Sequence, residues 1–536
     1  MPPRPVRRAP PSPPRHPAAP VAAPRAAALL AAALLVAVRP LGGARAQPPS
    51  HGSTPAPTAA RIAAEPRLEL AAIVFRLGGA RAFANTQYAP YDSALRAHFA
   101  PFAEHEAVAL ARDLHDRRGI TFSRVMSLAI ALDSLPTLAL RVAPDSVFPG
   151  RVPGAEIARF AAALGRFARD ARADAFFAAQ RGRLDSAAAR LARPVQEADA
   201  FGWLARFFGT GADRTFVVAP LLANSQGNFG VCVTPDGGGA GGTDVAGGTD
   251  RPGPRALECW QILGHQRTDA AGHVTWGEQT IETLVHEIAH GYANPLGDAH
   301  GAALDPVVER VRQAYAAPLA AQAYTSARSV LNESLVRATV ARFFAERGTP
   351  ARLAEYLADQ QGLGWRWLPE LSERLAEYER ARAADPTRYP TLAAFMPRVV
   401  AYYDSLPPRL AALERRYDAG RPHVVWTSLP APAGGDTVVL PASVGEIAVR
   451  FDRPVRPHRF AVVPPFVDGR PTSARVPPPP VTGVTLDAAG TTARLAVALE
   501  PGRTYAFQLN TPHGFGFRTA DGVPLAPYPV RLRVAP

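Results

Sequence analysis

Residues 281–296 read IETLVHEIAHGYANPL, and this stretch constrains the fold more than any other in the chain. Ile281, Leu284, Val285, Ile288 and Ala289 recur at the spacing of one helix face, so the segment is expected to be a helix buried on its back. His286 and His290 stand opposite that stripe. Four residues apart, they share a face, with Cβ atoms about 5–6 Å from one another. Gly291 and Asn294-Pro295 are expected to close the helix just after the second histidine.

Two imidazoles so placed can converge on one cation at ~2.0–2.1 Å, the length of zinc–histidine bonds. Glu287 points about 100° away round the helix, outside that chelate but within reach of a water on the ion. Zinc lowers the pKa of such a water towards ~7, and a carboxylate can then take its proton. The cofactor expected is therefore Zn2+, with Glu287 as the general base. One protein ligand remains to be found. Glu333 is the first choice, in the helical stretch SVLNESLVRATVARFF, because a carboxylate among Leu331, Leu335 and Val336 has a reason to be buried. Arg337, one turn on, would orient it. Asp298 and His300 compete, nearer in sequence but in a stretch punctuated by Gly and Pro. Tyr324 reads either as a donor to an oxyanion or, more simply, as a surface aromatic.

Three textures organise the rest. From Arg67 the pattern is helical, with Leu70, Ile73, Val74 and Leu77 ahead of Gly78-Gly79, and further helical segments are expected around 93–116, 121–135, 153–181 and 183–208. From Thr215 three short strands are expected, Phe216 to Leu222, Asn228 to Thr234 and Ala256 to Gly264, the last two flanking a glycine-rich loop. Cys232 and Cys259 lie in those two strands and read either as a cross-strand disulfide or as buried thiols. Helical periodicity resumes after Gly277 and lasts to about Arg416. Past His423, EIAVRF, RLAVAL, TYAFQL and VRLRV alternate between Pro and Gly turns, as in an all-β sandwich of roughly 100 residues. The expected domains are thus 67–210, 211–422 and 423–536.

The formal charge of +13 invites a nucleic-acid reading, but residues 1–46 hold seven arginines and no acid, and subtracting them leaves +6. No basic block with interleaved aromatics remains, so no nucleic-acid partner is expected. Those residues instead read as a signal peptide: basic and Pro-rich, then apolar from Ala26 to Val38, then Ala44-Arg45-Ala46 as a cleavage site. The apolar run is shorter than the ~20 residues a bilayer requires. Residues 47–66 read as a flexible linker, and an extracytoplasmic protein with no membrane span after cleavage is expected.

His286-Glu287-x-x-His290 followed by Asn332-Glu333 on a later helix resembles the gluzincin branch of the zincin metallopeptidases. The metzincin extension is absent, since Ala293 and Leu296 stand where it requires Gly and His. The resemblance implies an α+β fold: a mainly helical zincin-like domain with a small sheet, with His286, His290 and Glu333 on zinc and Glu287 as base. It further implies a peptide or protein substrate that pairs with an edge strand, for which Asn228 to Thr234 is the equivalent. The segments from Pro501 to Leu509 and from Phe517 to Val534 resemble the closing strands of bacterial immunoglobulin-like domains. The rival expectation is a catalytically silent, metal-stabilised extracytoplasmic binding protein.

Overall fold

The computed structural model describes residues 60–536 except 85–87, 211–213, 225–226, 234–240, 243–256, 265–266, 433–436, 458–459, 468–469, 472–475 and 512–515. The expected signal peptide and most of the linker lie outside the described residues.

The fold is α+β. Its centre is a five-stranded sheet in the order β1-β2-β5-β3-β4, formed by Arg61–Ile62, Arg214–Leu221, Leu257–Gly264, Asn228–Val233 and Gly241–Gly242 respectively. β1, β2 and β5 run parallel, and β3 is antiparallel to β5. Residues 61–62, assigned to the linker by composition, are therefore a strand. The last six residues of β2 are all buried because both faces of the sheet are covered. Val217 and Ala219 join Trp260 and Ile262 in one apolar cluster, while Phe216 and Val218 join Cys259 and Leu263 in another. The glycine-rich loop does join two adjacent antiparallel strands, and Cys232 faces Cys259 and is bonded to it at 2.08 Å.

The first cluster is built from the N-terminal helices α1 (Pro66–Leu77), α2 (Ala89–Phe99), α3 (Glu106–Arg118), α4 (Ser123–Ile130), α5 (Pro144–Val147), α6 (Gly154–Asp170) and most of α7 (Ala173–Ala198). With α8 (Ala200–Phe208), these break more often than periodicity indicates. The expected segments 153–181 and 183–208 become three helices, parted at Arg172 and Asp199, both of which take a positive φ of 47°. A left-handed residue ends the hydrogen-bond ladder while leaving the hydrophobic spacing almost unchanged.

The second cluster holds α9 (Glu278–Ala299), α10 (Gly301–Ala314), α11 (Ala316–Ala320), α12 (Ala327–Arg347), α13 (Pro350–Gly362), α14 (Leu368–Ala384), α15 (Leu392–Asp404) and α16 (Leu410–Gly420). Leu284, Val285, Ile288 and Ala289 of α9 are buried there, as their spacing predicts. The expected helix end does not occur, because α9 runs through Pro295 to Ala299. A proline inside a helix frees the carbonyl four residues earlier, which here is that of Gly291. Arg214 Nη1, from the start of β2, donates to that carbonyl at 2.7 Å. Gly291 makes room for this approach, since a Cβ there would sit 3.0 Å from the same nitrogen.

After the short hairpin β6 (Arg267–Thr268) and β7 (Val274–Thr275), the remaining strands are C-terminal. They are β8 (Val424–Thr427), β9 (Thr437–Leu440), β10 (Glu446–Phe451), β11 (Val462–Val463), the hairpin β12 (Phe466–Val467) and β13 (Arg470–Pro471), β14 (Val481–Leu486), β15 (Thr492–Val497), β16 (Thr504–Leu509) and β17 (Tyr528–Val534). Two four-stranded sheets, β14-β15-β10-β8 and β11-β16-β17-β9, share one apolar cluster around Ile447, Leu495, Phe507 and Leu532. Among the described residues no helix is long and apolar enough to cross a membrane.

Candidate metal centre

α9 and α12 pack side by side and bring His286, His290 and Glu333 together, their ligand atoms all within 4.8 Å of one another. The Nε2 atoms of the histidines are 3.2 Å apart. His290 Nε2 is 3.3 Å from Glu333 Oε1, and His286 Nε2 is 3.6 Å from Oε2. A tetrahedral ion with bonds of ~2.0–2.1 Å has ligand-to-ligand edges of about 3.3–3.4 Å, so this triangle has the size of one face of such a site. Glu333 Oε2 is also buried and makes no well-aligned hydrogen bond, although Arg337 Nη2 lies 3.2 Å away. A buried carboxylate oxygen left with acceptor capacity can serve a further cation. The three residues can hold a metal ion.

Asp298 and His300 are not part of the cluster. Asp298 lies in the last turn of α9, where Arg328 holds it at 2.5 Å, and His300 sits between α9 and α10.

The next layer fixes the ligands. His290 Nδ1 meets Asn294 Oδ1 at 3.1 Å, which directs Nε2 towards Glu333. Arg337 Nη2 lies 3.2 Å from Glu333 Oε2, as its position one turn on predicts. The same nitrogen donates to Tyr324 Oη at 3.0 Å, and Nη1 donates to Gln360 Oε1 of α13 at 2.5 Å. Tyr324 is thus a partly buried member of this layer and no surface aromatic. Gln360 went unnoticed in sequence because nothing local marks it. Asn294 carried a signal, being four residues past His290.

Glu287 is partly buried beneath β3, where the Gly230 backbone N–H donates to its carboxylate. A Cβ on Gly230 would lie 3.2 Å from both the backbone oxygen and Oε2 of Glu287, so glycine is what admits the carboxylate here. Burial pushes the Glu287 carboxyl up to about 7, against the pull of His290. Burial lowers His286 to about 3, with His290 and Arg337 adding to it and Glu333 opposing. Burial also opposes charge on His290, but its bond to Glu333 and the charges of Glu333 and Glu287 prevail and raise it to about 9. Glu333 is held far below the usual carboxylate range, because His286, Arg337 and His290 together overcome its burial. Glu333 thus draws positive charge from His290 and Arg337, and a metal cation held here would compete with a proton on His290.

The profile of a family described as a domain of unknown function (DUF4932) matches residues 265–402, a span that includes all three cluster residues. No curated protein matches the sequence. Among solved structures, the S-layer protein rSbsC(31-844) aligns at 15% identity over 47% of this chain and 33% of its own, with a TM-score of 0.14. The N-terminal part of the bacterial S-layer protein SbsC aligns at 13% identity over 47% of this chain and 58% of its own, also with a TM-score of 0.14. The chain therefore spans less than two thirds of either structure.

Proposed function

We propose that this chain is an exported, zinc-dependent metallopeptidase of the gluzincin type. The observation that carries the reading is the His286–His290–Glu333 triangle, with Glu287 one residue from the first ligand and lying against a strand. Zinc in that triangle would supply Lewis acidity and a water of lowered pKa. Glu287 takes the proton of the attacking water and later delivers it to the leaving amine. Asn294 and Arg337 hold His290 and Glu333 in place.

The substrate proposed is an extended peptide laid along β3. β4 pairs only with Val231 and Cys232, and no other described strand covers Asn228 or Phe229 on that side, while the Gly230 N–H meets Glu287. Backbone pairing there would carry a peptide past Glu287. Export is supported by the leader and by the Cys232–Cys259 disulfide, which persists in oxidising compartments. For the C-terminal module we propose an immunoglobulin-like sandwich serving as a spacer. The reading is supported by the order β8-β10-β15-β14, taken as A-B-E-D, and by β11-β16-β17, taken as C-F-G, with β9 as an added strand parallel to β17.

The test compares the mature chain with Glu287→Gln for metal content and cleavage of a peptide library. Expected are equal zinc stoichiometry and a rate lower by at least ~10²-fold in the variant. Cleavage undiminished in Glu287→Gln would remove the proposed base. Stoichiometric zinc with no cleavage by either protein would favour the silent binding protein instead.

A further inference from the structure

A second site lies across the sheet from α9. A cavity of about 460 Å³ opens there, with Arg61, Arg67, Asp133, Arg141, Glu258 and Trp260 among its walls. Trp260 belongs to the N-terminal apolar cluster, on the face opposite Cys259 and the metal helix. The volume falls within the ~300–1,000 Å³ of small-molecule sites.

The charges in this cavity are unevenly paired. Arg61 Nη2 meets Glu65 Oε1 at 2.7 Å, and Glu258 Oε1 accepts from Trp260 Nε1 at 2.6 Å. Arg67 Nε stands 3.7 Å from Glu65 Oε2, and Arg141 Nη1 stands 3.7 Å from Glu258 Oε1, both too far for a hydrogen bond. The Arg67 side chain is only 6% exposed. Its Nη1 donates to the carbonyls of Ile130 and Leu132, while its Nε is buried with no acceptor. Its guanidinium also lies 5.0 Å over the Trp260 ring. A buried guanidinium with an open donor is costly unless an anion meets it. Burial lowers the Arg67 pKa, with Arg141 and Arg61 adding repulsion and Glu65 and Glu258 opposing.

We propose that this cavity binds a small oxyanion, a carboxylate or phosphate group, between Arg67 and Arg141 against Trp260. Guanidinium pairs grip both groups through bidentate hydrogen bonds. Asp133 and Glu258 also line the cavity, so small anions of low charge are preferred to citrate, which carries about three charges at neutral pH. The site is independent of the metal centre.

The test is calorimetric titration of the full mature chain with acetate, inorganic phosphate or citrate at matched ionic strength, with chloride as reference. Saturable binding of acetate or phosphate is expected, with citrate weaker, and the stronger of the two separates carboxylate from phosphate as the natural group. Arg67→Gln also loses the ties to Ile130 and Leu132 and is liable to misfold, so the deciding variant is Arg141→Gln. It should weaken binding at least tenfold while metal content stays unchanged. Heat that merely tracks ionic strength, or equal affinity in Arg141→Gln and the parent, would overturn the proposal.

Discussion

His290 and Glu69 place buried titratable groups in opposite circumstances. His290 faces Glu333 with one nitrogen and Asn294 with the other, so its ring is oriented before any ion arrives. Truncating an outer-layer partner of a metal-bound histidine typically costs 10–100-fold in affinity. If the proposed zinc binds there, Asn294→Ala should weaken it by about that factor in a chelator competition, and an unchanged constant would show that packing alone orients the ring. Glu69, on α1, has no cationic partner among the described residues. It accepts from the backbone N–H groups of Leu222 and Ala223 at 2.6 and 2.8 Å and from Tyr91 Oη at 3.2 Å. Burial outweighs these bonds and lifts its carboxyl to about 7. Between about 4.5 and 7 the folded chain keeps a proton that the unfolded chain has released, so through this group stability falls as pH rises. The full effect is roughly 3 kcal/mol. Urea unfolding across that window should show the slope in the parent and a flatter one in Glu69→Gln.

At the scale of elements, α9 shows how far sequence carries and where it stops. Its buried stripe, its paired histidines and its place after three strands are all legible, because side-chain period and apolar spacing are local properties. The three expected strands coincide with β2, β3 and β5 to within two residues at either end. The end of α9 is not legible. Asn294-Pro295 reads as a stop, yet the freed Gly291 carbonyl is met by Arg214, 77 residues earlier in the chain. The helix breaks at Arg172 and Asp199 were missed for a similar reason, since left-handed backbone at a non-glycine residue carries no composition signal. Among the ligands, Glu333 could be picked out from its apolar neighbours, but its partner Gln360 lies on another helix. Arg214→Ala should leave the Gly291 carbonyl unpaired in a half-buried setting, and would also lose the guanidinium stacked 4.1 Å over Tyr292. Thermal unfolding should register a loss of about 1–3 kcal/mol, and an unchanged midpoint would mean water satisfies the carbonyl equally well.

Across the whole molecule, α13 links the C-terminal module to the candidate metal centre. Arg456 meets Glu355 of α13 at 2.7 Å, and Arg518 meets Glu355 and Asp359 at 3.2 and 2.9 Å. The contact is close: a Cβ on Gly522 would lie 2.9 Å from the Glu355 Cα. α13 also reaches both helices that carry the candidate ligands. Gln360 holds Arg337 of α12, and Arg352 pairs with Glu282 of α9, one turn before His286. The Arg518 side chain is 8% exposed, so its pairs are better shielded from solvent than that of Arg456, which is 26% exposed. Freeing α13 from the module should let Arg337, and with it Glu333, sample wider geometries. The double variant Arg456→Ala and Arg518→Ala should then release zinc to a chelator about three- to tenfold faster, less than the cost of losing a direct partner because the effect passes through two side chains. Because Arg518 is itself buried, circular dichroism and the thermal midpoint serve as the control that the variant is folded. If the release rate were unaltered, the module would be mechanically separate from the metal centre, and the ion pairs on α13 would serve attachment alone.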